Sequence, residues 1–132
     1  MLIDTSGFFS LYSEEDEHHA TAEETYRNYS KRRITTSYVL AEYVALALIR
    51  RLPRAEVLAF SNEVLDDESV EIVWVNEELH RRGIELLRDR QDKTYSLCDA
   101  VSFVLMRDRG ETEALTTDRH FDQEGLVRLL AP

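Results

Sequence analysis

Short apolar runs alternate with longer stretches of helical spacing along this chain, and that alternation is its main structural signal. Met1-Leu2-Ile3 is an apolar run ending at Asp4-Thr5-Ser6, the pattern of a brief buried strand. Residues 7–12 follow as one or two helical turns, and residues 17–30 as a polar helix with a thin apolar stripe. Arg33-Ile34-Thr35-Thr36, rich in β-branched side chains, predicts a second strand. From Ser37 the spacing is helical, with Val39, Leu40, Tyr43, Val44, Leu46 and Ala47 placed for burial. That pattern stops at Arg50-Arg51-Leu52, and Pro53 opens a further helix to about residue 64.

Asp66-Asp67-Glu68 is a solvated break. Residues 70–75, with Ile72, Val73 and Trp74 unbroken by polar positions, predict a third strand covered on both faces. Asn76 is placed to cap a helix over roughly 77–89, with Leu79, Ile84 and Leu87 facing inward. After the loop Asp92-Lys93-Thr94, Ser96 caps a helix that is apolar or small on every face from Ala100 to Met106, as in a helix enclosed by protein. Gly110 suits its stop. Ala114-Leu115-Thr116 is a short strand, the segment carrying Asp118 is a loop, and residues 126–130 form a last edge strand. Strands alternating with helices imply one α/β domain over residues 1–132, a mainly parallel sheet with helices on both faces.

The length allows a single core, and 43% hydrophobic with 32% charged residues is an ordinary globular composition. No apolar run can span a bilayer, and the first residues are no signal peptide. The one cysteine, Cys98, cannot form an internal disulfide; beside Leu97 and Val101 it reads as a small core residue in a reducing cytoplasm. The net charge is −10, and its excess acid lies in residues 1–80, with 16 Asp/Glu against 7 Lys/Arg. This excludes a non-specific nucleic-acid coat protein, whose affinity rests on basic phosphate contacts. An enzyme that holds nucleic acid locally, through metal ions and a few arginines, remains compatible, and so does a basic protein partner.

The candidate chemistry is acidic. Asp4 ends the first strand, where it could equally cap the next helix. Glu42 has Ala41, Tyr43, Val44 and Ala45 around it, which disfavours a wholly solvated position. Asp99 completes a capping box with Ser96, and Asp118 could serve an Asx-turn. In a parallel sheet, Asp4 and Asp118 end strands while Glu42 and Asp99 lie early in helices that follow strand ends. All four can therefore meet at one sheet edge, where their mutual repulsion calls for a divalent cation. An oxygen-only donor set, without His or Cys, favours Mg²⁺ or Mn²⁺ over Zn²⁺.

These pieces resemble the PIN-domain nucleases, and specifically the VapC type of toxin ribonuclease from bacterial toxin–antitoxin pairs. The matching segments are Leu2-Ile3-Asp4-Thr5-Ser6, Thr36-Ser37-Tyr38-Val39-Leu40-Ala41-Glu42, Ser96-Leu97-Cys98-Asp99-Ala100 and Leu115-Thr116-Thr117-Asp118-Arg119-His120-Phe121. They stand in the family's order and spacing over essentially the whole chain. The resemblance implies a five-stranded parallel α/β/α sandwich and Mg²⁺-dependent endoribonuclease activity, with Mn²⁺ as a substitute. It implies Asp4, Glu42, Asp99 and Asp118 as the acidic cluster, Asp4 and Asp99 foremost as metal ligands. Ser6, Thr36 and Thr117 would order metal-bound water or support the carboxylates, and Arg119 would contact RNA. Some family members carry a second acid where this chain has His120; Asp122 is the nearest replacement. The implied partners are an RNA substrate, a small antitoxin and a second copy of the chain, with protein contacts placed on the helices at 17–30 and 37–65.

Other features have plainer readings. His18-His19 with Glu23 suits a solvated helix face, and Arg50, Arg51 and Arg54 form a basic helix end, with RNA-backbone contact as a second use. Tyr12, Tyr26, Tyr29, Phe60 and Trp74 read as core or interface. One rival function is a non-catalytic PIN-like binding module, which His120 would favour. A phosphoacceptor signalling domain also gathers acids at strand ends, but needs a lysine after its last strands, and Lys31 and Lys93 are not so placed.

Overall fold

A computed structural model describes residues 1–131. In chain order the elements are β1 (Leu2–Ile3), α1 (Thr5–Tyr12), α2 (His19–Asn28), β2 (Arg33–Thr36), α3 (Ser37–Ile49), α4 (Arg54–Asp66), β3 (Val70–Val73), α5 (Glu77–Asp89), α6 (Leu97–Arg109), β4 (Glu113–Leu115), α7 (Arg119–Gln123) and β5 (Val127–Arg128). The five strands are ordered β3-β2-β1-β4-β5, and every neighbouring pair is parallel. The chain thus starts in the middle of the sheet, winds outward to β3, then crosses to the other side of β1 for β4 and β5. Leu2 is paired with Ile34 on one side and Ala114 on the other.

The pleat of β1 divides the core. Met1 and Ile3 join the cluster formed with Phe8, Phe9, Val39, Tyr43 and Leu115, under α1 to α4. Leu2 points the other way, into a cluster with Ile34, Phe103, Met106 and Phe121, under α5 to α7. This is the three-layer arrangement expected from the strand–helix alternation. Residues 98–106 of α6 are all buried, as the apolar character of that helix requires. Its ends are set by local chemistry: Ser96 and Asp99 form the reciprocal capping box, and Gly110 closes the helix in the left-handed region at φ 65°. Asn76 accepts the Leu79 N–H and starts α5 in the same way.

Gly7 brings two elements unusually close. A Cβ there would lie 2.2 Å from the Leu115 carbonyl oxygen, so α1 can rest on the end of β4 only without a side chain at this position. Among the described residues no helix is long and apolar enough to cross a membrane.

Three expectations need correction. The third strand ends at Val73 and lies at the sheet edge; Ile72 and Val73 still pack against the two core clusters on its opposite faces, but Trp74 lies beyond the strand and is 67% exposed. Its exposed edge position is held by Glu71, which pairs with Arg32 and Arg109. Residues 119–123, read as loop, form a short helix pinned by the fully buried Phe121, whose ring meets Phe103 edge-on at 4.9 Å. Five residues are too few for helical periodicity to show in sequence. His19 is not simply solvated, because its Nδ1 contacts the Ser10 carbonyl at 2.8 Å and ties α2 to α1.

Candidate metal centre

All five strands run the same way, so their carboxyl ends share one edge. Between β1 and β4 the winding direction reverses, and helices leave to opposite faces, which opens a crevice at that point. Asp4 follows β1 there. It occupies the N-cap position of α1 but makes no side-chain cap. Instead its carboxyl is turned inward, with the residue only 4% exposed. Asp4 Oδ2 accepts the Thr116 hydroxyl at 2.9 Å, while Oδ1 is buried without a hydrogen-bond partner.

Thr116, directly after β4, is the hub of this crevice. Its single hydroxyl proton goes to Asp4, and its oxygen accepts the Asp118 N–H at 3.0 Å. The remaining lone pair faces Ser6 Oγ at 3.0 Å, so Ser6 is the donor of that pair, and Ser6 in turn accepts the Thr117 N–H at 2.9 Å. These bonds lock the first turn of α1 to the loop after β4.

Asp118 accepts the His120 N–H at 2.9 Å and so caps α7. Asp99 comes from the first turn of α6, where its Oδ2 accepts the Ser96 N–H at 3.1 Å. The same oxygen lies 2.9 Å from His120 Nδ1, and Asp118 Oδ1 lies 3.4 Å from that nitrogen. One donor atom from each of Asp99, Asp118 and His120 falls within 4.8 Å of the other two. The modest roles read for Asp99 and Asp118, helix cap and turn, are thus both present, and neither prevents the side chains from converging.

The electrostatics follow from burial. Desolvation pushes Asp4 from 3.8 up to about 7, with the charges of Asp99 and Asp118 adding to it and its hydrogen bonds opposing it. Asp99 is also raised, first by burial and further by Asp118, against hydrogen bonds from Ser96 and His120. Burial likewise raises the Cys98 thiol, helped by Glu42, Asp4 and Asp99, so Cys98 is a core residue and not a nucleophile. Clustered carboxyls with an orphaned buried oxygen have the donor chemistry of a divalent-cation site.

Over residues 1–125 the sequence matches the family model of the PIN domain. The chain belongs to the PIN-domain family. This PIN domain is 29% identical over 129 residues to the 23S rRNA-specific endonuclease VapC20 of Mycobacterium tuberculosis, covering 98% of this chain and 97% of that one. A VapC ribonuclease of Archaeoglobus fulgidus is 28% identical over 109 residues, 79% of this chain and 68% of the relative. The crystal structure of M. tuberculosis VapC20, described as a sarcin–ricin loop cleaving toxin, superposes with a TM-score of 0.86 at 28% identity, covering 96% of this chain and 95% of that one.

Within this PIN domain the expected residues are not equally close. Asp99 and Asp118 meet directly, and Asp4 joins them through Thr116. Glu42 is half-buried and linked one step further out, accepting the Thr5 hydroxyl at 2.6 Å. Thr36 Oγ1 accepts the Val39 N–H and so caps α3, the helix that carries Glu42. Thr117 contributes its backbone, to Ser6 and to Arg128. Arg119 is exposed beside Asp118. Asp122 pairs with Arg128 at 3.0 Å and does not replace an acid at position 120. The expectation of no His or Cys near the acids is also corrected, because His120 lies within the cluster and Cys98 beside it. Thr5 and Thr116 escaped the sequence reading; a threonine closing a buried strand next to Asp118 was the available sign.

Proposed function

We propose that the chain is a metal-dependent endoribonuclease that hydrolyses RNA phosphodiester bonds, as the toxin of a type II toxin–antitoxin pair, within a single nuclease domain spanning residues 1–132. The observation that carries this reading is the buried Asp4 at the sheet's switch point, whose Oδ1 is unpartnered and whose carboxyl feels the charges of Asp99 and Asp118.

Asp4, Asp99 and Asp118 would hold the ion, with Glu42 as the fourth acid of the set; Mg²⁺ is the assigned ion and Mn²⁺ its substitute. A bound divalent ion supplies Lewis-acid polarisation of the phosphate and a lowered pKa for the attacking water. The chain's own part is to keep the carboxylates fixed. Thr116 and Ser6 hold Asp4 against the β4 end, the capping box holds Asp99, and the α7 N-terminus holds Asp118, so little reorganisation accompanies charge development. Arg119, exposed beside Asp118, would meet an RNA phosphate.

The partners we assign are a small antitoxin and a second copy of the chain in the cytoplasm. Their contacts fall on α2 to α4, where Ile49 is 75% exposed and Leu58 and Leu65 also reach solvent. Because VapC20 is named for 23S rRNA, the sarcin–ricin loop is the first substrate to test.

Expression in a bacterium, alone and as Asp4→Ala, tests the reading. Growth arrest with a defined RNA cut, relieved by the substitution, is the expected result. Purified Asp99→Asn should keep its circular dichroism spectrum and lose Mg²⁺-dependent cleavage by at least a hundredfold. Unchanged cleavage by that variant would overturn the assignment. The binding-module alternative is separated by titrating Mg²⁺ or Mn²⁺ while following RNA cleavage, which it predicts to be absent at every concentration.

A further inference from the structure

A nitrogen donor stands where the acidic chemistry predicts only oxygen. His120 Nδ1 lies 2.9 Å from Asp99 Oδ2 and 3.4 Å from Asp118 Oδ1, inside the cluster and not at its rim. The ring is restrained on several sides. Its backbone N–H is bound by Asp118, the neighbouring Phe121 is fully buried, and the Tyr95 ring meets it at 5.2 Å with a 62° tilt. Its second nitrogen, Nε2, lies 3.1 Å from Thr94 Oγ1.

That last contact matters for the choice of tautomer. Without a cation, Nδ1 carries the proton and donates it to Asp99 Oδ2; a cation at the cluster displaces that proton, and Thr94 Oγ1 can accept one on Nε2, the tautomer that presents the Nδ1 lone pair to the ion. Metal-bound histidines are held in this way, donating their other ring N–H to an oxygen that fixes the ring and strengthens it as a ligand. The orphaned, buried Asp4 Oδ1 points independently to a cation in the same crevice.

We propose that His120 is a nitrogen ligand of the metal centre, acting through Nδ1 with Thr94 as its outer partner, and that it tilts the site's selectivity from Mg²⁺ toward Mn²⁺. The inference rests on the metal-site reading above and deepens it. Mg²⁺ demands oxygen donors and gains little from imidazole, whereas transition ions gain substantially. One imidazole among carboxylates therefore raises Mn²⁺ affinity while leaving Mg²⁺ affinity nearly unchanged. Thr94 contributes only through His120, so its loss weakens Mn²⁺ and spares Mg²⁺.

Two measurements on the full chain test this. Electron spin-echo modulation of the Mn²⁺-loaded wild-type protein reads nitrogen coordination without any substitution. Calorimetric titration with Mn²⁺ and with Mg²⁺ then compares wild type, His120→Asp and Thr94→Val, each checked for its circular dichroism spectrum. A ¹⁴N coupling in the wild type is expected. The Mn²⁺-over-Mg²⁺ affinity ratio should fall about tenfold or more in His120→Asp, and Mn²⁺ affinity by about tenfold to a hundredfold in Thr94→Val, the usual effect of removing an outer-shell partner. Stoichiometric Mn²⁺ without nitrogen coupling, or an unchanged ratio, overturns the role of His120 and leaves the carboxylate site standing. Failure of both ions to bind overturns the metal-site reading itself, and this inference with it.

Discussion

Asp4 is the residue at which folding and the site chemistry conflict. A buried carboxyl with one unpartnered oxygen opposes folding unless it is neutral or meets a cation. In metal-free protein its carboxyl titrates near 7, against 3.8 for an ordinary aspartate. Between those values the folded chain retains a proton that the unfolded chain has released, so stability falls as pH rises across that window and stays low above it. Urea denaturation in EDTA from pH 5 to 8 should show this decline in wild type and a much flatter profile in Asp4→Asn. At pH 8 the variant should be the more stable, by on the order of a few kcal/mol. Thr116→Val should act in the opposite direction, costing about 1–3 kcal/mol by stripping Asp4 and the Asp118 N–H of their shared partner. It should also lower RNA cleavage while Asp99 stays in place, measurable as a fall in kcat at saturating Mg²⁺. Asp4, Glu42, Asp99 and Asp118 were all legible as candidates in the sequence, because acids at the ends of apolar strands and early in buried helices are chemically conspicuous. Thr116 and Thr94 were not, since a hydroxyl's value depends wholly on what lies within 3 Å of it.

At the scale of elements, local signals were reliable wherever a side chain closes a hydrogen bond with its own segment. The Ser96–Asp99 box, the Asn76 cap and the Gly110 stop each involve residues within a few positions of each other. Ser96→Ala should cost about 1 kcal/mol in chemical denaturation, the usual price of a lost N-cap. Gly7 illustrates the opposite case, because its partner is Leu115, far along the chain. Gly7→Ala must push α1 away from the β4 carbonyl; a loss of about 1–3 kcal/mol is expected, together with reduced cleavage as Asp4 parts from Thr116. A variant as stable as wild type would mean that α1 does not rest on β4 as described. Edge or centre position is equally invisible locally. The 70–75 run has the composition of an interior strand, yet strand order makes β3 an edge and leaves Trp74 in solvent.

For the molecule as a whole, the proposed metal site would make stability and cation binding one equilibrium. Holding three acids together in the absence of a cation costs free energy, and binding to the folded state returns it in proportion to RT ln(1 + [M]/Kd). The melting temperature of wild type should therefore climb with Mg²⁺ or Mn²⁺ concentration and drop with EDTA, and Asp99→Asn should lose most of that response in a thermal-shift series. The alternation of strands and helices, read from one-dimensional spacing, was sufficient for the class of fold, since burial on one or two faces leaves a periodic trace. It was also sufficient, with the four acidic segments, for the family. Strand order was decided only in three dimensions: the reversal between β1 and β4 makes a crevice from residues 112 positions apart, Asp4 and Thr116. The place of His120 was decided there too. In sequence it marks a missing acid; in the folded chain, α7 turns its ring between Asp99 and Asp118, because Phe121 must be buried and Asp118 must cap the helix. Which groups share a cluster depends on distances that no local pattern encodes, and here those distances place a nitrogen among the oxygens.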